Sequence, residues 1–233
     1  MATTRKPQQR AEAERRWPVV IGIAVALAMY ALLPTTFLPA LRIGVVVVSA
    51  GILIALIFLN PARFQRETRW SRVLSGAQSL LLLAANQVAL AQLIIQLIQA
   101  KHADGPLILL AALQVWVTNV IAFSVLYWEL DRGGPVARRR DQRSELPRAD
   151  FRFPQDEDHD AIDEVRAGSS SRSDWMPGYL DYLYFSATNS MAFSPTDTMP
   201  LSSRAKGLML LESFTGFVIL ALVIARAVSL LGG

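Results

Sequence analysis

Cysteine is absent and histidine occurs only twice. Disulfide staples and thiolate metal sites are therefore unavailable. His102 and His159 lie in a short connection and in a linker, with no second histidine at helical or finger spacing, so no zinc centre is supported. The sequence also lacks a Gly-x-Ser-x-Gly elbow, a His-Glu-x-x-His pair, a phosphate-binding glycine-rich loop and a Gly-x-Gly-Asp intramembrane protease motif. It is read as a chain that is not an enzyme and carries no cofactor. Asp156, Asp158 and Asp160 alternate as the first ligands of a calcium loop do, but Ala161 stands at the glycine turn and Ala167 at the bidentate glutamate. That leaves a solvated acidic run.

Charge is scarce too: 18% of the 233 residues are charged against 52% hydrophobic, with a mean hydropathy of +0.33. Long apolar runs take up the difference. Trp17 to Leu33, Leu38 to Leu59, Val73 to Ile98, Pro106 to Trp128 and Gly207 to Leu231 each suit a hydrocarbon core of roughly 30 Å, which takes about 20 apolar residues. The expected fold is an all-α integral membrane protein with about five transmembrane helices and one re-entrant half-helix and loop. Because another span follows the first run at once and no Ala-x-Ala site ends it, the first run is read as retained rather than as a cleaved signal peptide.

A net charge of +4 and a pI near 9.8 would point to nucleic acid in a soluble protein. Here the basic residues flank spans, which the positive-inside rule explains without such a partner. They fall in three segments: Arg5, Lys6, Arg10, Arg15 and Arg16; Arg63, Arg66, Arg69 and Arg72; and Arg132, Arg138, Arg139, Arg140, Arg143 and Arg148. The intervening spans put all three on one side, assigned to the cytoplasm, as expected of a multi-pass plasma-membrane protein with a cytoplasmic N-terminus. Four regions result: a basic tail over 1–16, a four-helix membrane region over 17–130, a charged, exposed and largely disordered linker over 131–174, and a pore-loop-like module over 175–233.

Amides and hydroxyls recur in the third span (Ser75, Ser79, Asn86, Gln92, Gln96, Gln99) and in the fourth (Gln114, Thr118, Asn119, Ser124). Two readings stand: hydrogen-bonded glue between helices, or a polar cavity around Asn86 and Asn119.

Within the module, an apolar run from Met176 to Phe193 holds Asp181 and Asn189, stops at Ser194-Pro195, and precedes a polar stretch and a full apolar helix. Pro195 and Pro200 account for the stop. Trp175, Tyr179, Tyr182 and Tyr184 cluster at its start, as aromatics at a membrane interface do. Glu212, about six residues inside the last helix, sits where ionised groups are costly and face the bundle or a cavity. Gly216, Val223 and Arg226 return near its face at steps of four, seven and fourteen residues. Glu212 and Arg226 are about 21 Å apart along the axis, too far to pair, and Arg226 can snorkel to the interface.

This order resembles the pore module of tetrameric potassium channels. Tyr184-Phe185-Ser186, with Thr188 and Asn189, falls on the end of the pore helix, and Asp197 and Pro200 fall on the acid and proline after the filter. Leu211-Glu212, Gly216 and the run Leu220 to Arg226 are similar to the inner helix, where the matching glutamate supports the pore loop from behind. At the filter the chain has Ala192-Phe193-Ser194-Pro195-Thr196-Asp197 and keeps only the acid. Ser194 and Thr196 replace the glycines whose dihedrals align filter carbonyls, and Pro195 restrains the backbone further, so potassium selectivity is not carried over. The two helix pairs, Asp150-Phe151-Arg152-Phe153-Pro154 and the Tyr-Leu-Tyr-Phe-Ser stretch also resemble a bacterial family of uncharacterised channel-loop-like membrane proteins.

The resemblance implies a homo-oligomer, tetrameric by that resemblance alone, in a lipid bilayer. It would pass monovalent cations weakly, with an Asp197 ring at the loop mouth and oxygens from Ser194 and Thr196. The rivals are a non-conducting scaffold or assembly protein and a broken-helix transporter.

Overall fold

The computed structural model describes residues 14–33, 39–59, 69–99, 105–157, 162–191 and 197–231. Expectations placed on Ala192 to Thr196, on Asp158, Asp160 and Ala161, on the two histidines and on the tail before Glu14 lie outside these residues.

The fold is built from helices. α1 (Trp17–Ala31), α2 (Pro39–Leu59), α3 (Arg69–Gln99) and α4 (Gly105–Leu130) form the first half. α5 (Gly134–Arg140), α6 (Asp163–Ala167) and α7 (Ser170–Ser173) lie in the linker, and α8 (Tyr179–Ser190) and α9 (Ser203–Leu231) form the last part. Among the described residues, four helices are long and apolar enough to cross a membrane: α2, α3, α4 and α9. α1 is apolar but has only 15 residues, about 22 Å at 1.5 Å per residue. Its Val19, Val20, Ile23, Ala26, Leu27 and Tyr30 are buried while Trp17, Ile21 and Val25 point outward.

α4 is the centre. Every residue from Thr118 to Trp128 is buried, because α1, α3, α8 and α9 all pack on it. A helical stretch buried on all sides belongs inside a bundle. Between α3 and α4, Asn86 Nδ2 donates to Asn119 Oδ1 at 2.7 Å and Thr118 Oγ1 donates to Asn86 Oδ1 at 2.8 Å. These amides are paired directly across the two helices, the first of the two sequence readings.

The segment expected to be a disordered linker departs most from expectation. After α4 the chain reverses through Arg132, Gly133 and Gly134, all at positive φ, where two glycines carry no Cβ penalty. Asp131, Arg138, Asp150, Phe151 and Phe153 are each at most 3% exposed. The few apolar residues of this charged stretch are the ones that anchor it. Phe151 lies 5.0 Å from both the Tyr127 and Phe185 rings, and Phe153 lies 5.3 Å from Tyr182 and 5.8 Å from Trp175. The two linker phenylalanines thus bind α8 to the end of α4.

A polar lattice underlies them. Asp131 accepts the Asp150 N–H at 2.7 Å and the Tyr182 hydroxyl at 2.5 Å, and Arg138 donates to the Trp128 and Asp131 carbonyls, both at 2.7 Å. Asp156, first of the alternating acids, is taken up by Arg132 at 2.5 Å and by Ser170 at 2.8 Å. An all-α expectation also misses one small feature: β1 (Phe151–Arg152) pairs antiparallel with β2 (Met199–Pro200), Phe151 opposite Pro200. Tyr182→Phe should lower stability by about 1 kcal/mol, since it removes one donor from a carboxylate that keeps other partners. Thermal unfolding in detergent measures this, and a loss of several kcal/mol would mean that the hydroxyl holds more than Asp131.

Candidate functional site

α8 begins under two carboxylates. Glu14 Oε1 accepts the Tyr179 N–H at 2.6 Å, and Asp181 Oδ2 accepts the Gly178 N–H at 2.7 Å. Both satisfy N–H groups that a helix start leaves open, and their charge suits the positive end of the helix. Burial pushes the Asp181 carboxyl above its ordinary range, against the Gly178 N–H and the Arg139 and Arg138 guanidiniums. Glu14 also accepts the Trp128 indole N–H at 3.1 Å, which ties the segment before α1 to α4 and α8 together.

The opposite end of α8 is gripped by α9. Glu212 is fully buried and collects donors from two other helices. Tyr127 Oη donates to Glu212 Oε2 at 2.7 Å, Asn189 Nδ2 donates to the same oxygen at 2.6 Å, and the Ser186 hydroxyl lies against Oε1. Ser186 Oγ is also 2.8 Å from the Val120 carbonyl oxygen of α4. None of the described Lys or Arg side chains forms an ion pair with Glu212. Among the described residues, this carboxyl is held by neutral donors alone. Asn189 is bonded on all sides, its Nδ2 reaching Met209 O at 3.2 Å and its Oδ1 accepting from Ser213 at 3.0 Å.

Four residues further along α9, Gly216 lies against the last turn of α8. A Cβ built on it would overlap the Ser190 carbonyl oxygen. Glycine is what lets the two backbones approach.

Of the pore-helix residues named from sequence, Phe185, Ser186 and Asn189 face inward, whereas Tyr184 is 65% exposed. Thr188 bonds back to the Phe185 carbonyl at 2.9 Å. Asp197 is exposed beside the buried Thr198. Glu212 and Gly216 meet α8, but Arg226 is buried far down α9 and takes no part in this cluster. Sequence reasoning missed Tyr127, Asp131 and Glu14. Only the packing of α4 shows the Tyr127 hydroxyl turned to Glu212.

The chain from α8 onward returns to where it started. Tyr182, in the second turn of α8, bonds to Asp131, and β2 pairs with β1 in the same layer. Leu201 N–H donates to Asp150 O at 2.7 Å, Ser202 and Arg204 reach the Asp150 carboxylate, and Ser202 Oγ caps the α9 start by accepting the Ala205 N–H at 3.1 Å. Both the start of α8 and the start of α9 are therefore fastened to the folded linker, while the end of α8 lies deep beside α4 and α9. Compared with protein-family models, with curated proteins and with solved structures, the chain matches none.

Proposed function

We propose that this is a pore-loop membrane protein whose segment from α8 to β2 dips into the bilayer and returns to the same face. The observation that carries the reading is the shared anchorage just described: α8 and β2 both contact the Asp131 to Phe153 layer. α8 has 12 residues, about 18 Å, too short for a core of about 30 Å. The clustered arginines favour entry from the cytoplasmic face of the plasma membrane. In this reading copies assemble around an axis, the exposed Asp197 forms an acidic ring at the mouth, and monovalent cations pass with little selectivity.

A cation flux assay on purified protein in liposomes tests this. Flux above that of empty vesicles, falling on Asp197→Asn because an acidic ring attracts cations, is the expected outcome. Silence from both proteins, each shown folded and inserted, sinks it. The second reading is a non-conducting scaffold, favoured by how firmly α8 is packed on its own α4: Ser186 on the Val120 carbonyl and Phe185 on the Tyr127 ring at 5.0 Å. Fold alone does not choose between them.

A further inference from the structure

The hydrogens around Glu212 can be counted. Tyr127 Oη and Asn189 Nδ2 both reach its Oε2, at 2.7 and 2.6 Å. The Asn189 amide is oriented by the Met209 carbonyl, which only accepts, so the atom turned to Glu212 is the nitrogen. Tyr127 has no other acceptor among the described residues, so its hydrogen also goes to Oε2. Oε2 is thus an acceptor twice over. Oε1 has a single partner, Ser186 Oγ, and that same Oγ lies 2.8 Å from the Val120 carbonyl oxygen. A serine hydroxyl brings one hydrogen, and here it stands between two oxygens.

We infer that Glu212 is a proton-binding site: in the folded protein its carboxyl is the neutral acid, with the proton on Oε1 and directed at Ser186 Oγ. Ser186 then passes its own hydrogen to the Val120 carbonyl, and each of these atoms has a partner. A carboxylate would leave one of the two Ser186 contacts as a pair of oxygens with no hydrogen between them, in an interior where unmet polar groups are expensive. It would also leave a full charge inside an apolar span, with none of the described Lys or Arg side chains paired to it. Among the described residues, the titratable group facing Glu212 is Tyr127 from α4, while α8 faces it with the neutral Ser186 and Asn189. The proton lets one serine tie α8 to α9 through Glu212 and to α4 through Val120 at once, so the seating of α8 depends on its presence. The inference stands whether or not the loop conducts.

Infrared spectra of the purified protein at neutral pH in an ester-free detergent provide the test, with a second preparation made from glutamate carrying a heavy carboxyl carbon. A carboxylic-acid C=O band is expected that moves with the glutamate label, which separates it from the buried carboxyls of Asp131 and Asp150. It should vanish in Glu212→Gln. In Ser186→Ala it should move to higher frequency, because the acid loses its acceptor. The absence of any glutamate acid band from the unmodified protein overturns the proposal, whatever the variants do. A band that persists in Glu212→Gln belongs to another glutamate and overturns it as well, and a band that Ser186→Ala leaves in place overturns the assignment of the proton to Oε1. Where Glu212→Gln fails to fold, the shift in Ser186→Ala makes the assignment.

Discussion

Glu212→Leu is expected to lower stability by about 3 kcal/mol, roughly 1 kcal/mol for each hydrogen-bond donor left behind. Leucine matches the volume and suits an apolar helix, so the loss isolates the bonds from Tyr127, Ser186 and Asn189. Glu212→Gln should cost less, about 1 to 2 kcal/mol. Its carbonyl oxygen can take the Oε2 position facing Tyr127 and Asn189, while its NH₂ donates to Ser186 Oγ, which passes its own proton to the Val120 carbonyl 2.8 Å away. Tyr127, Asn189 and Ser186 then each keep a partner without any charge, and the second amide N–H of the glutamine is the one group left over. Unfolding in mixed micelles measures both variants, with Tyr127→Phe as the single-bond reference. If glutamine proves as costly as leucine, the negative charge is what the site needs, and the account by neutral donors is wrong.

What made Glu212 visible in the sequence is the cost of a carboxyl in an apolar helix, a property of one residue and its neighbours in the chain. Its partners required more. Ser186 and Asn189 were singled out through resemblance to a pore helix, yet nothing in the spacing says that they face α9, and Tyr127 belongs to a helix joined to the site only by packing. The long spans were legible for the same local reason, since apolar length alone marks α2, α3, α4 and α9. α1, with its 15 helical residues, shows the limit of that rule. Its apolar run is real, and whether it spans depends on its surroundings.

The linker failed on composition. A charged, serine-rich stretch with few apolar residues reads as disordered, but averaging hides Phe151 and Phe153, which meet four aromatic rings from α4, α8 and the segment before α8. Its acids and arginines are not all solvated either. Asp131 and Arg138 are at most 1% exposed; Arg138 donates to the Trp128 and Asp131 carbonyls, and the Asp131 carboxylate accepts from the Asp150 N–H and the Tyr182 hydroxyl. The Asp-Phe-Arg-Phe-Pro stretch clamps α8 against α4 while pairing with β2.

Gly216→Leu should cost about 3 kcal/mol, the upper end for forcing volume into a packed site, and Gly216→Ala about 1 to 2 kcal/mol by the same mechanism. The reason is local and directional: the first carbon added meets the Ser190 carbonyl oxygen, a backbone atom with no rotamer to escape into. α8 must slide outward, which also lengthens the contacts of Asn189 and Ser186 with Glu212 one turn away. Helix propensity pulls the other way, since alanine is better than glycine in a helix interior by about 1 kcal/mol. Hydrogen exchange separates the two effects. Backbone amides of Ser186 to Met191 should exchange faster in both variants while those of α3 stay protected. If Gly216→Ala instead stabilises the protein and leaves the α8 amides unchanged, propensity outweighs contact, and the close approach of α8 to α9 does not hold the loop in place.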